Sequence, residues 1–137
     1  MGKSGKKPIL CVDFDGVLHM YLSGWTSADY IADGPVPGAM DFLNRAVATF
    51  EVVVYSSRSN QPGGINAMQD WLALHLKTRF GLAKAKEILS QIGWPDCKPS
   101  AKVTLDDRAV CFDGSFPSIE KLMLFQPWNE HLKVKRA

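Results

Sequence analysis

The sequence has little cysteine, no long apolar run and no large excess of either charge, and each shortage narrows what the chain can be. Only Cys11, Cys97 and Cys111 occur among 137 residues. An odd number without metal-ligand spacing suits a reduced, cytoplasmic chain better than a disulfide framework. Cys11 and Cys111 lie inside apolar runs, where a thiol is expected to act as a small buried hydrophobe. No apolar run approaches the ~18 residues of a membrane span. The basic opening Met-Gly-Lys-Ser-Gly-Lys-Lys is followed only by Pro8–Val12 before an acidic pair, so no signal peptide is expected. Internal repeats, low-complexity stretches and domain-splitting linkers are also missing.

What is present is the composition of one ordinary domain, 46% hydrophobic and 22% charged, which excludes disorder over most of the length. The net charge of +2 hides an uneven distribution. Lys3, Lys6 and Lys7 lie at one end and Lys133, Lys135 and Arg136 at the other; without them 10 basic residues face 14 acidic ones. The reading is a basic tail over residues 1–8, one domain over 9–130 and a second basic tail over 131–137. Solvated tails are the simpler interpretation, with weak, salt-sensitive nucleic-acid affinity as the alternative.

Hydrophobic periodicity gives a strand–helix rhythm. Ile9–Val12 is short, apolar and β-prone, as a strand buried on both faces should be. Residues 17–37 carry Gly24, Gly34, Pro35 and Pro37, and read as a long loop or flap of the kind that is commonly functional. Its Tyr21, Trp25 and Tyr30 follow no period, and fit either hydrophobic anchoring or stacking on a base. A helix opens at Pro37-Gly38, with Met40, Leu43, Ala46, Val47 and Phe50 at helical spacing. Glu51–Tyr55 is a second buried strand, and Ile65, Met68, Leu72 and Leu76 mark a second helix. A third helix is expected over Leu82–Ile88. Leu89–Trp94 fits either its last turns or a short edge strand closed by Pro95. Val103–Leu105 and Ala109–Phe112 read as two further strands, and Ser118 as the cap of a last helix through Ile119, Leu122 and Met123. Trp71 and Trp94 fall among core positions. The rhythm predicts an α/β sandwich on a mainly parallel sheet.

Residues with chemical potential follow three of these strands: Asp13 and Asp15, Ser56 to Arg58, and Asp106 and Asp107. In a parallel sheet all strand C-termini share one edge, so residues distant in sequence converge there. Residues i and i+2 project alike at a strand end, which predicts up to four carboxylates around one point. Such an oxygen-rich cluster suits a hard divalent ion, Mg²⁺ by default. A carboxylate beside such an ion can serve as a nucleophile, and a second can move protons. Phosphoryl transfer also needs donors for the equatorial oxygens, and Ser56 with adjacent N–H groups, and Lys98 or Lys102, could supply them. Gly2-Lys3-Ser4 mimics the end of a phosphate-binding P-loop but lacks the upstream strand and glycine. His19 reads as an incidental loop histidine.

These residues resemble the haloacid dehalogenase (HAD) superfamily. Asp-Phe-Asp-Gly-Val after an apolar strand is similar to its first motif, Val-Tyr-Ser-Ser to its second, Lys98-Pro99 to its third and Leu-Asp-Asp to its fourth, over residues 9–112. The resemblance implies a Rossmannoid three-layer core and Mg²⁺-dependent phosphoryl transfer. Asp13 would then be the nucleophile, Asp15 the general acid/base, Ser56 a phosphoryl ligand and Lys98, with Lys102 as alternative, the stabilising charge. Asp106 would join Asp13 and the Asp15 carbonyl at the metal, supported by Asp107. Ser56-x-Arg58 resembles the phosphatase domain of polynucleotide kinase-phosphatases, which implies a phosphate-holding Arg58; Gly16 and Ser57 are counted with it as substrate-binding residues. Arg108 would hold phosphate or brace the metal acids.

The segments from Asp15 to Ser56 and from Ser57 to Lys98 are filled by the flap and a few helices, leaving no room for a folded cap domain. An open cleft admits a macromolecular end. The expectation is therefore a Mg²⁺-dependent phosphatase acting through an aspartyl-phosphate on a nucleotide or nucleic-acid end. A small-metabolite or protein phosphatase, and a non-catalytic phosphate- or nucleic-acid-binding module, are the alternatives. No membrane partner is expected.

Overall fold

The strands begin where the apolar runs begin. A computed structural model describes residues 6–133. It places β1 at Ile9–Val12, α1 at Ala39–Thr49, β2 at Glu51–Val54, α2 at Gly64–Phe80 and α3 at Leu82–Leu89. Then follow β3 at Ile92–Gly93, β4 at Val103–Leu105, α4 at Ile119–Met123 and a 3-10 turn at Glu130–Leu132. The strand order is β3-β2-β1-β4, and every neighbouring pair is parallel. Parallel neighbours need crossovers rather than hairpins. The flap with α1 makes the first, and α2 with α3 the second.

Side-chain alternation divides the strands. Leu10, Val12, Val52 and Val54 join Met40, Leu43 and Val47 of α1, Met68, Leu72 and Leu76 of α2, and Ile88 of α3 in one apolar core. Cys11 and Val53, one residue out of phase, are buried on the opposite face. Trp71 is buried and Trp94 packs against the core, as their positions led us to expect. Ser118 caps α4, its Oγ accepting from the Lys121 N–H at 3.1 Å.

Three expectations are settled differently or more finely. The ambiguous Leu89–Trp94 segment divides, with α3 ending at Leu89 and the next residues turning into the edge strand β3. Ala109–Phe112 is not a strand. Val110 and Phe112 are 55% and 57% exposed, and Cys111 is exposed rather than buried. An apolar run predicts a strand only if a partner lies alongside, and β4 is three residues long with all three exposed. The basic ends are not simply solvated where they are described. The Lys7 ammonium donates to the Val47 carbonyl at 2.8 Å, and Lys133 pairs with Glu130 at 3.4 Å over the Tyr21 ring. Lys3, Lys135, Arg136 and the Gly2-Lys3-Ser4 motif lie outside the described residues. Among the described residues no helix is long and apolar enough to cross a membrane.

Candidate active site

The parallel sheet brings the ends of β1, β2 and β4 to one edge, and the ladder continues slightly past them. Asp13 N–H donates to the Leu105 carbonyl at 3.0 Å and Tyr55 N–H to the Val12 carbonyl at 3.2 Å. After Asp13 the backbone coils tightly: the N–H groups of Val17, Leu18 and His19 all reach the Phe14 carbonyl, at 3.0–3.2 Å. Gly16 makes this turn with φ +83°, and a Cβ there would run into the Asp107 carboxylate. Glycine is needed both for the backbone and for the close approach of the acid. Gly16 thus makes room for Asp107, and its carbonyl accepts from Trp128 Nε1 at 2.6 Å.

Three carboxylates converge. Oxygens of Asp13, Asp106 and Asp107 all lie within 4.8 Å of one another. Burial pushes the Asp13 carboxyl up to about 8, with Asp106 and Asp107 adding to the rise and the Phe14 N–H opposing it. Burial also raises Asp107, whose hydrogen bond with Asp13 works the other way. Both acids are thereby held above the ordinary carboxylate range, because burial and like charge disfavour ionising them together. Asp107 Oδ1 is buried without a hydrogen-bond partner. Asp106 is fixed through its Oδ1, which accepts the Arg108 N–H at 2.7 Å, so Arg108 braces an acid through its backbone. A shallow cavity of about 230 Å³ opens beside Gly16, Asp106, Asp107 and Trp128. Oxygen-only donors, mutual repulsion and an orphaned carboxylate oxygen fit a hard divalent cation.

Asp15 does not join this cluster. Its Oδ2 accepts from Arg58 Nε at 2.9 Å, and its Oδ1 meets His19 Nδ1 at 2.9 Å. The expected convergence of four carboxylates is therefore three, because the turn at Gly16 and a buried guanidinium draw the fourth away. Arg58 itself is only 1% exposed. Its Nη1 donates to the carbonyls of Ser27, Ala28 and Tyr30 at 2.9–3.0 Å, and its guanidinium lies 4.8 Å from the Trp25 ring centre. Arg58 was expected to hold phosphate; its Nε and Nη1 are instead engaged with Asp15 and the flap. Trp25, one of the three flap aromatics, lies over the guanidinium. Gly64 opens α2 where a Cβ would collide with the Arg58 carbonyl, so the helix start also closes on this residue.

His19 is fully buried and is not incidental. Its Nε2 accepts the Asp33 N–H at 3.0 Å, so the ring proton sits on Nδ1 and is donated to Asp15. Asp33 in turn accepts from Ser23 N–H and Oγ at 2.7 Å, and its carbonyl from Trp71 Nε1 at 3.0 Å. The flap is tied at several points to the turn and to α2.

Ser56 is buried; its Oγ accepts the Arg58 N–H at 3.1 Å, while its own N–H goes to Ser59 Oγ at 3.0 Å. Ser57 is exposed beside it, and both lysines are exposed. Burial raises the Cys11 thiol, with Asp13 and Asp106 adding to the rise and Lys98 opposing it. Lys102 is held by its backbone, donating to Ile9. Sequence reasoning missed Asp33, Trp128 and Asn129, whose Nδ2 donates to the Met20 carbonyl at 2.7 Å. Each acts across more than a dozen or a hundred positions of chain, where no local spacing carries a signal. No protein-family model, curated protein or solved structure matches the chain.

The raised Asp13 carboxyl sets a pH dependence. Between the ordinary carboxylate range near 3.8 and about 8, the folded chain keeps a proton that the unfolded chain has lost. That contribution to stability is complete below the lower value and lost as pH rises through the upper. Asp13→Asn retains a donor toward Asp107 without the charge. In metal-free buffer it is expected to flatten the fall in melting temperature between pH 5 and 8 (about these limits), and at the upper end to be the more stable protein by on the order of 2 kcal/mol. Equal slopes for the two proteins would contradict the assignment.

Proposed function

We propose that the chain is a Mg²⁺-dependent phosphomonoesterase of HAD type, working through an aspartyl-phosphate. The observation that carries this reading is the convergence of Asp13, Asp106 and Asp107 at the same sheet edge as Ser56. The four motif resemblances, in order along the chain, support it. Asp13, Asp106 and Asp107 would hold the cation, with the Asp15 carbonyl as a further ligand; the cation's chemistry is to keep Asp13 ionised and to neutralise phosphoryl charge.

The residues then divide the work. The Asp13 carboxylate attacks phosphorus as the ester P–O bond breaks, and Asp15, which enters the cycle as the carboxylic acid, gives its proton to the departing oxygen. Water next attacks the aspartyl-phosphate, Asp15 takes its proton, and inorganic phosphate leaves with Asp13 restored. The Ser56 hydroxyl, whose lone pair serves the Arg58 N–H, retains a hydrogen to donate to an equatorial oxygen, with Lys98 as the nearby charge. Arg58 and His19 position Asp15 rather than touch substrate. The segments between motifs hold the flap and helices, consistent with a capless, open cleft. With Arg58 committed internally, the preference for a nucleotide or nucleic-acid end rests on that openness and on the basic termini.

Hydrolysis of an aryl phosphate is expected to require both Mg²⁺ and Asp13, with Asp13→Asn at least ~1,000-fold slower. Wild-type-like turnover by Asp13→Asn would overturn the nucleophile assignment. Among physiological classes, 3′-phosphorylated oligonucleotides are expected to outrun free nucleotides and sugar phosphates; the reverse order would assign a small-metabolite substrate.

His19 supplies a finer test. Asparagine can present a donor near the Nδ1 position, whereas glutamine reaches the Nε2 position. His19→Gln is expected to lower kcat by about tenfold or more with KM little changed, and His19→Asn to restore much of the loss. Equal activities in the two variants would remove the positioning role.

A further inference from the structure

A larger cavity than the one at the acids lies elsewhere among the described residues. A groove of about 730 Å³ runs through the C-terminal third, lined by Val110, Phe112, Phe116, Leu122 and Phe125 among others. From Val110 to Leu132, ten large apolar side chains are more than a third exposed, with Phe116 at 90% and Met123 and Leu124 at 80%. At typical side-chain sizes they present on the order of 1,000 Å² of apolar surface, well beyond the few hundred Å² common on monomers. Helix α4 has five residues and buries none of them. A helix that short does not hold itself together in water, so its one formed turn calls for a covering surface.

We propose that this surface is the interface of a two-fold homodimer, and that the occupant of the groove is the same segment of a second copy. A two-fold contact requires one patch to carry both halves of the fit. This segment does: Ile119 and Met123, four residues apart on α4, stand 72% and 80% exposed outside the groove that Leu122 and Phe125 line. The area matches the roughly 800 Å² per partner of a stable association. Asp113, Glu120, Lys121 and Arg108 mix both signs in and around the patch, so no single-sign field repels a second copy or selects a polyanion. The sheet also ends here, at β4, with Val103 and Leu105 half exposed. The inference is independent of the phosphatase reading.

The test is sedimentation equilibrium on the full chain, with thiol labelling as an internal control. Cys111 lines the groove, whereas Cys97 is exposed outside it. The expected mass is twice 15.2 kDa, with Cys111 reacting about tenfold or more slowly than Cys97 because the interface covers it. Ile119→Glu with Met123→Glu, both on exposed side chains, should give the monomer and bring Cys111 to the rate of Cys97, with a circular dichroism spectrum changed by no more than the loss of the α4 turn. Phe116→Ser, in a loop, should weaken the dimer without touching α4. A wild-type monomer with freely reactive Cys111 would overturn the proposal, as would a dimer indifferent to all three substitutions. A monomer that instead floats with anionic vesicles would assign the surface to a membrane and overturn it equally.

Discussion

A guanidinium removed from water must find partners, and the arrangement of the whole sheet edge follows from how Arg58 finds them. Leaving one half of a buried ion pair unmatched costs about 3–5 kcal/mol. Arg58 therefore holds the Asp15 carboxylate through Nε and three flap carbonyls through Nη1, while Phe14 and Trp25 lie against it. A single residue, four positions beyond β2, thereby fixes the acid that follows β1 and the loop between them. Residues 17–37 are long and rich in glycine and proline, yet this single anchor, with Asp33 bound to Ser23, His19 and Trp71, gives them a defined course.

The edge is thereby split into two electrostatic halves. Around Asp15, charge is matched by Arg58 and oriented by His19. Around Asp13, Asp106 and Asp107 like charges crowd together, and burial with that repulsion raises the Asp13 carboxyl. Gly16 stands between the halves, its turn directing Asp15 to one side and its missing side chain admitting Asp107 on the other. Two carboxylates two residues apart thus sit in different environments, which is what the proposed division of tasks between them requires.

Much of this was legible in the sequence wherever the physics is local. The apolar runs at Ile9–Val12 and Glu51–Val54 and the helical spacing of Met40 to Phe50 and Ile65 to Leu76 located the buried elements, and parallel pairing then forced Asp13, Ser56 and Asp106 to one edge. What was not legible depends on partners brought together by folding. Arg58 has the chemistry of a phosphate ligand, and only folding reveals the Asp15 carboxylate and flap carbonyls that it holds. His19 looked incidental because its two partners, Asp15 and Asp33, declare themselves only once the loop is closed. Ala109–Phe112 had the pattern of a strand but no neighbour to pair with.

The dependence of the flap on one guanidinium can be measured directly by amide hydrogen exchange in the wild type and in Arg58→Met. The amides of Met20, Tyr30 and Val36 bond within the flap, to Gly34, Ser27 and Leu18, and report on its closure independently of any activity. The result expected is a loss of protection at these amides by about tenfold or more, with the α2 amides around Leu72 unchanged. Flap amides as protected in the variant as in the wild type would contradict the view that Arg58 organises the site.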